Sequence, residues 1–277
     1  MSALPLPELE ALALSAAVEA AHFVATQRPV DLGAAATKSS DTDVVTVMDT
    51  AAEALLRARL LAARPDDAVL GEEGSAQEGS SGLTWVIDPI DGTVNYLYGL
   101  PGYAVSVAVV TGDPTGADWL PVAGAVCAPG LRRVWAAHRG AGAWTSDVAG
   151  GQRTPLAVST ERVLGRALVG TGFSYRPSVR AEQAAVLTRV LPMVRDIRRM
   201  GSAAVDLCLV AEGRLDAYYE RELNPWDLAA GWLVVTEAGG LVTDPSGSRP
   251  SRAGTVAGGV HLHRGLLELL GAEPSRV

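Results

Sequence analysis

The stretch Trp85-Val86-Ile87-Asp88-Pro89-Ile90-Asp91-Gly92-Thr93-Val94-Asn95-Tyr96 decides how this chain is read. A short apolar strand at 85–87 delivers Asp88 into a loop, Pro89 fixes the turn, and Asp91 follows three residues later. Gly92 lets the backbone approach a ligand closely. A helix opening near Thr93 would aim the N–H groups of Gly92 and Thr93 at an anion. Carboxylates beside an anion-binding turn repel phosphate unless a cation lies between them, and hard oxygen ligands of this kind suit magnesium. An aspartate N-cap followed by a glycine turn accounts for Asp91 but not for the whole set.

Two further acidic clusters lie outward from this stretch. Gly71-Glu72-Glu73-Gly74 follows the apolar Ala68-Val69-Leu70, so a carboxylate pair stands at the mouth of a strand, where it holds a cation or simply forms a solvated turn. Asn224-Pro225-Trp226-Asp227 opens the apolar run 228–238, and by itself Asp227 reads as an ordinary N-cap. Its interest lies in combination with the other two.

Apolar periodicity predicts helices over 6–27 and 47–63, ending before Pro29 and Pro65. From residue 68 the pattern changes to short β-rich runs at 68–70, 85–87, 103–110, 122–127, 133–137 and 142–145, each bounded by turn residues. The small, polar stretch 147–153 marks a candidate boundary near residue 150. Beyond it, strands at 167–171, 195–200, 215–219 and 255–258 alternate with helices at 179–191, 202–211, 226–238 and 262–270. The expectation is a mixed α/β (α+β) chain with an N-terminal half over 1–150 and a C-terminal α/β half over 151–277 that completes the site.

Composition narrows the function. A net charge of −8 with no basic stripe argues against nucleic acid as the main partner. Cys127 and Cys208 are far apart and belong to no metal or redox motif, which suits a reducing cytoplasm. No stretch reads as a bilayer span of roughly 18 apolar residues, so no membrane is expected. Lys38 is the only lysine in the chain, set in a polar segment at 37–43. It is either an accident of a solvated loop or a place where a compact ammonium is required.

Taken together, Glu72-Glu73, the run 88–93, and Trp226-Asp227 with Glu237-Ala238-Gly239-Gly240 resemble the inositol monophosphatase family. The resemblance extends over nearly the whole chain, through Lys38-Ser39-Ser40, Asp43-Val44-Val45-Thr46 before Asp49, Gly201-Ser202-Ala203-Ala204 and Asp216-Ala217-Tyr218-Tyr219-Glu220. It implies a layered αβαβα sandwich, often a homodimer, and a lithium-sensitive phosphoric monoester hydrolase that uses two or three Mg2+ ions on a small phosphorylated metabolite. It places Glu72, Asp88, Asp91 and Asp227 with the Ile90 carbonyl as metal ligands. Gly92 and Thr93 fall on the phosphate-binding turn, and Asp49 pairs with Thr93 to orient and deprotonate the attacking water. Lys38 falls on the active-site loop, and Glu72 counts among the catalytic residues as well. Gly201, Ser202, Ala203 and Glu220 match positions that contact the alcohol part of the substrate.

Inositol monophosphate is the substrate this resemblance favours. Histidinol phosphate, fructose 1,6-bisphosphate and a metal-binding interaction role stand as alternatives. Glu220 would accept hydrogen bonds from a polyol and equally tolerate a cationic amine. No clear basic cluster for a second phosphate is visible in the sequence, and Arg176 and Arg180 read as solvated loop residues or as partners of a second anionic group.

Overall fold

The structure, a computed structural model, describes residues 5–33, 36–37 and 44–271. Lys38 and the Asp43 that precedes Val44 lie outside the described residues. The chain runs α1 (Leu6–Thr26), β1 (Ala36–Thr37), β2 (Val44–Val45), α2 (Val47–Ala63), β3 (Ala68–Gly71), β4 (Leu83–Asp91), α3 (Thr93–Leu97), β5 (Ala104–Gly112), β6 (Trp119–Ala128), β7 (Arg133–His138), β8 (Ala143–Asp147) and β9 (Thr154–Pro155). It continues through β10 (Leu168–Thr171), α4 (Pro177–Val190), β11 (Asp196–Arg198), α5 (Ala203–Ala211), β12 (Ala217–Glu220), α6 (Pro225–Glu237), β13 (Leu241–Thr243), β14 (Thr255–Gly258) and α7 (Val260–Gly271). The helices expected from periodicity are present at nearly their expected bounds. Strand β13 was not expected, because a three-residue strand after Gly239-Gly240 leaves no alternation to read.

Seven strands form one sheet in sequence order from β3 to β9, antiparallel throughout except for the parallel β3–β4 pair. A second large sheet has five strands ordered β11-β10-β12-β14-β13, and β1 and β2 form a two-stranded antiparallel pair of their own. Side-chain alternation explains how the layers stack. On β5, Val105, Val107 and Val109 join the core beneath α1 and α2, whereas Ala104, Ala108 and Val110 join a second core shared with α5 and α6. On β12, Tyr218 faces that second core, while Ala217 and Tyr219 face a third core containing Leu262 and Leu266 of α7. Both large sheets are covered on each face, and the order helix, sheet, helix, sheet, helix is the expected αβαβα sandwich.

Helix α1 corrects one expectation. At 21 residues and a mean hydropathy of 1.3 it is long and apolar enough, by length and composition, to cross a membrane. In this fold Leu9, Ala13, Ala16, Ala17, Ala20 and Val24 form its buried stripe, and the helix packs on β5 and β6. The Tyr96 hydroxyl donates to the Val24 carbonyl at 2.7 Å and Arg28 donates to the Leu97 carbonyl at 3.1 Å, so the end of α1 is tied to α3.

Candidate metal and phosphate site

The site begins with an irregularity in β4. The sequence suggested that the strand stops at Ile87, but it runs through Asp91 and carries Pro89 inside it. Asp88 lies opposite Ser106 and Asp91 opposite Ala104, so three steps on β4 match two on β5. Residues directly opposite one another share a face. In a regular strand Asp88 and Asp91 would point to opposite faces; the extra residue turns both toward α6. A bulge is also where a strand tolerates a residue without an N–H, which explains Pro89. Asp88 Oδ1 accepts from the Ile90 amide at 3.0 Å, fixing the kink.

Asp227 meets them from α6. It is the third residue of that helix and not its N-cap, which is Asn224. Its Oδ2 accepts from the Asn224 amide at 2.7 Å, and Pro225 occupies the first turn where no donor is missed. One carboxylate oxygen each from Asp88, Asp91 and Asp227 lie within 4.8 Å of one another. Asp91 is held by donors on α5: the Ser202 hydroxyl and the Ala204 amide both reach its Oδ2 at 2.7 Å. Burial nevertheless pushes the Asp91 carboxyl up to about 6. Burial also raises Asp227 well above its ordinary value, with the charges of Asp91 and Glu72 adding to the effect. Carboxylates that repel one another in a half-buried cleft are stabilised by a bound cation, and an all-oxygen donor set suits a hard divalent one.

Asp49 occupies the first turn of α2. Its Oδ2 accepts from the Thr46 amide at 2.8 Å and the Thr46 hydroxyl at 2.5 Å, which caps the helix. Its Oδ1 faces the Thr93 hydroxyl at 3.1 Å, and that hydroxyl also lies 3.0 Å from the Ile90 carbonyl. Gly92, at φ +94°, links β4 to α3, and a Cβ there would press on the carbonyls of Gly201 and Gly102 at 2.9 and 3.0 Å. Asn95 locks the same two segments together, donating to Gly102 at 2.6 Å and Met200 at 2.7 Å.

One cavity of about 670 Å³ has walls that include Glu72, Asp88, Asp91, Thr93, Asp227 and Glu220. Ile90, Gly92, Gly201, Ser202 and Ala203 line it as well, whereas Asp49 is fully buried behind Thr93 and is not on the wall. Glu220 accepts from the Tyr218 hydroxyl and lies where a side chain at Gly172 would sit. Burial, with the charge of Asp91 behind it, pushes Glu220 up to about 7.

Three features escaped the sequence reading. Asp206 is buried in the first turn of α5, lines the cavity, and its Oδ1 has no hydrogen-bond partner. An aspartate inside the apolar run Ala203-Ala204-Val205-Asp206-Leu207 was the available signal. Glu53 reaches from α2 under the Glu72 turn, where its Oε2 accepts from the Glu73 amide at 2.7 Å. Arg199, Arg221 and Arg252 border the cavity together with Arg176, which the sequence had singled out, so a basic group exists that their spacing concealed. Arg176 pairs with Glu222 and Arg221 with Glu182, while Arg199 opposes the charges of Asp91, Asp206 and Glu220. Arg180 is exposed and is not part of the wall.

The profile of the inositol monophosphatase family matches residues 6–274. The chain belongs to the inositol monophosphatase family. An inositol-1-monophosphatase of Mycobacterium leprae is 48% identical over 265 residues, covering 91% of this chain and 87% of the relative. A protein of Xylella fastidiosa named Nus factor SuhB is 41% identical over 217 residues, covering 78% of this chain and 74% of that one. The crystal structure of the extragenic suppressor protein suhB from Bartonella henselae superposes with a TM-score of 0.85 at 33% identity, covering 95% of this chain and 98% of that one. Members of this family are metal-dependent phosphatases, and the chain is a phosphoric monoester hydrolase acting on small phosphorylated substrates.

Proposed function

We propose that the chain hydrolyses inositol monophosphate to inositol and phosphate with Mg2+ and water. The observation that carries this reading is the convergence of Asp88, Asp91 and Asp227 with Thr93 and Glu220 on the wall of one cavity, with Asp49 bonded to Thr93 from behind. Asp88, Asp91 and Asp227, joined by Glu72 and the Ile90 carbonyl, are the groups that would hold two or three ions. Bound Mg2+ would neutralise phosphoryl oxygens, acidify water and stabilise the leaving alkoxide.

The rest belongs to the chain. The amides of Gly92 and Thr93 cradle the phosphate, which the left-handed backbone at Gly92 makes possible. Asp49, with one oxygen committed to capping α2, offers the other to Thr93, whose hydroxyl aligns the attacking water and passes its proton to the carboxylate. The Gly201–Ala203 segment abuts the leaving alcohol. Glu220 accepts hydrogen bonds from its hydroxyls, and its held-up pKa keeps the group able to donate as well. Lys38 belongs to the same proposal from the active-site loop, and the working unit is a homodimer.

Two observations favour other readings. Four arginines on the cavity wall suit a second phosphate, as in fructose 1,6-bisphosphate. The Xylella relative's name, Nus factor SuhB, suits a metal-binding interaction protein with secondary phosphatase activity. The test is kcat/KM with Mg2+ for inositol 1-phosphate, histidinol phosphate, fructose 1,6-bisphosphate and 3′-phosphoadenosine 5′-phosphate. Inositol 1-phosphate is expected to lead by at least about tenfold, a gap of 1.4 kcal/mol in transition-state binding. A lead for the bisphosphate overturns the substrate assignment, and no turnover on any of the four overturns the enzyme reading.

A further inference from the structure

Behind the catalytic wall lies a separate cavity of about 290 Å³. It is bounded by Phe173 from the loop before α4, by Gln183 and Val186 on α4, by Thr255 and Val256 on β14, and by Leu270 on α7. Three buried polar atoms on its wall have no hydrogen-bond partner: Gln183 Nε2, Thr255 Oγ1 and the Tyr219 hydroxyl. Thr255 is fully buried and Gln183 is 7% exposed. The orientation of the Gln183 amide is fixed, because its Oε1 accepts from the Ser174 amide at 2.9 Å. The group left over is therefore the NH2, which can only donate. The Tyr219 hydroxyl, beside Thr171, borders the same space.

Such a cavity is poorly matched to water alone. Its volume equals the liquid share of roughly ten water molecules, each of which needs two to four polar partners. Most of the wall is hydrocarbon. The polar atoms are few, and the fixed one is a donor. Buried polar atoms normally have partners, so three unpartnered ones facing a void of this size point to a ligand.

We infer that this cavity is a second small-molecule site, taking an uncharged, largely apolar molecule that presents one accepting oxygen, a ketone, amide or ether, to Gln183 Nε2 and the Thr255 hydroxyl. Charge is disfavoured on both signs. Glu220 and Arg221 border the space together and offset each other, while desolvating an ion of either sign in the apolar body of the cavity is costly. The site shares Gly172, Phe173, Glu220 and Arg221 with the catalytic cavity but holds none of the metal-binding carboxylates. An occupant would stand one wall away from the leaving-group side of the active site.

Cyclohexanone, an uncharged ring with one carbonyl, is the probe. Its binding to the full chain is followed by saturation-transfer NMR and by the side-chain amide resonance of Gln183. Wild type should bind it and shift that resonance. Val186→Trp and Leu270→Trp, which fill the cavity from two different helices, should each weaken binding at least about tenfold. Gln183→Leu should weaken it about fivefold, the share of one hydrogen bond. Thermal unfolding of each variant shows which remain folded, and the Gln183 resonance of the wild type needs no variant at all. The inference is overturned if wild type shows neither transfer nor a shift, or if a folded, cavity-filled variant binds as well as wild type.

Discussion

Glu53 holds the Glu72 turn in place, and its removal has a size that the structure sets. The side chain is 3% exposed. Its Oε1 receives Arg57 Nε at 2.8 Å and its Oε2 receives the Glu73 amide at 2.7 Å. The carboxylate also fills the space where side chains at Gly71 and Gly74 would sit, 2.5 Å from either. Glu53→Ala thus orphans a part-buried amide, at about 1–3 kcal/mol. It also strips a mostly buried arginine of its partner, which in full burial costs about 3–5 kcal/mol. Arg57 is 18% exposed and keeps some hydration, and the two losses overlap, so about 3 kcal/mol is the expected total. For a chain of this size that corresponds to roughly 6–12 °C in Tm. The turn it releases carries Glu72, so the Mg2+ concentration for half-maximal rate should rise several-fold, while the rate at saturating Mg2+ falls much less. Glu53→Gln keeps an acceptor for Glu73 and should recover most of the Mg2+ midpoint. Differential scanning fluorimetry with a Mg2+ titration of phosphate release reads both quantities. A Tm within about 2 °C of wild type together with an unchanged midpoint would refute this role for Glu53.

Further expectations concern the neighbouring residues. Ser202→Ala removes a 2.7 Å donor to Asp91 and the N-cap that accepts from the Val205 amide at 3.2 Å. It should cost about 1–2 kcal/mol in chemical denaturation and lower turnover. Gly172→Ala places a methyl against the Glu220 carboxylate, so KM should rise more than kcat falls in steady-state kinetics. Glu220 carries a folded-state pKa of about 7, raised from 4.5, so its protonated form is the one the fold favours. Stability from this group is full below the unfolded value and is lost as pH rises through about 7. Metal-free Glu220→Gln should therefore gain Tm over metal-free wild type on going from pH 4 to pH 8; a constant difference across that range would contradict it. Lithium added to the Mg2+-loaded enzyme should lower phosphate release, as the family membership suggests; full activity at high lithium concentration would count against that expectation.

Much of this architecture is written in local pattern. Leu9, Ala13, Ala17 and Val24 mark one face of α1, and the alternation of β5 divides its residues between two cores, so helices and long strands are legible. The bulge in β4 is not. Nothing in Asp88-Pro89-Ile90-Asp91 states that the pairing with β5 slips by one residue, yet that slip alone turns both carboxylates to one face. Asp49 and Asp227 show a second limit. Each satisfies the rule for a first-turn helix carboxylate, and each also serves the site: one oxygen caps the helix, while the second oxygen of Asp49 meets the Thr93 hydroxyl and Asp227 lines the cavity. A reading that sets capping against function poses a choice the side chains do not have to make. Asp206, Glu53, Arg199, Arg221 and Arg252 were missed because their significance depends on which elements meet across the sandwich, a long-range relation that spacing along the chain does not carry.

The central claim is that Asp91 and Asp227, brought together by the β4 bulge and the start of α6, make phosphate-ester hydrolysis depend on a divalent metal. The direct measurement is phosphate release from inositol 1-phosphate as a function of Mg2+ for wild type, Asp91→Asn and Asp227→Asn, each first stripped with a chelator. The account predicts that stripped wild type is inactive and fully restored by Mg2+, while both variants remain at least about a hundredfold slower at saturating Mg2+. Full Mg2+-dependent activity in both variants, or undiminished activity of the stripped wild type, would contradict it.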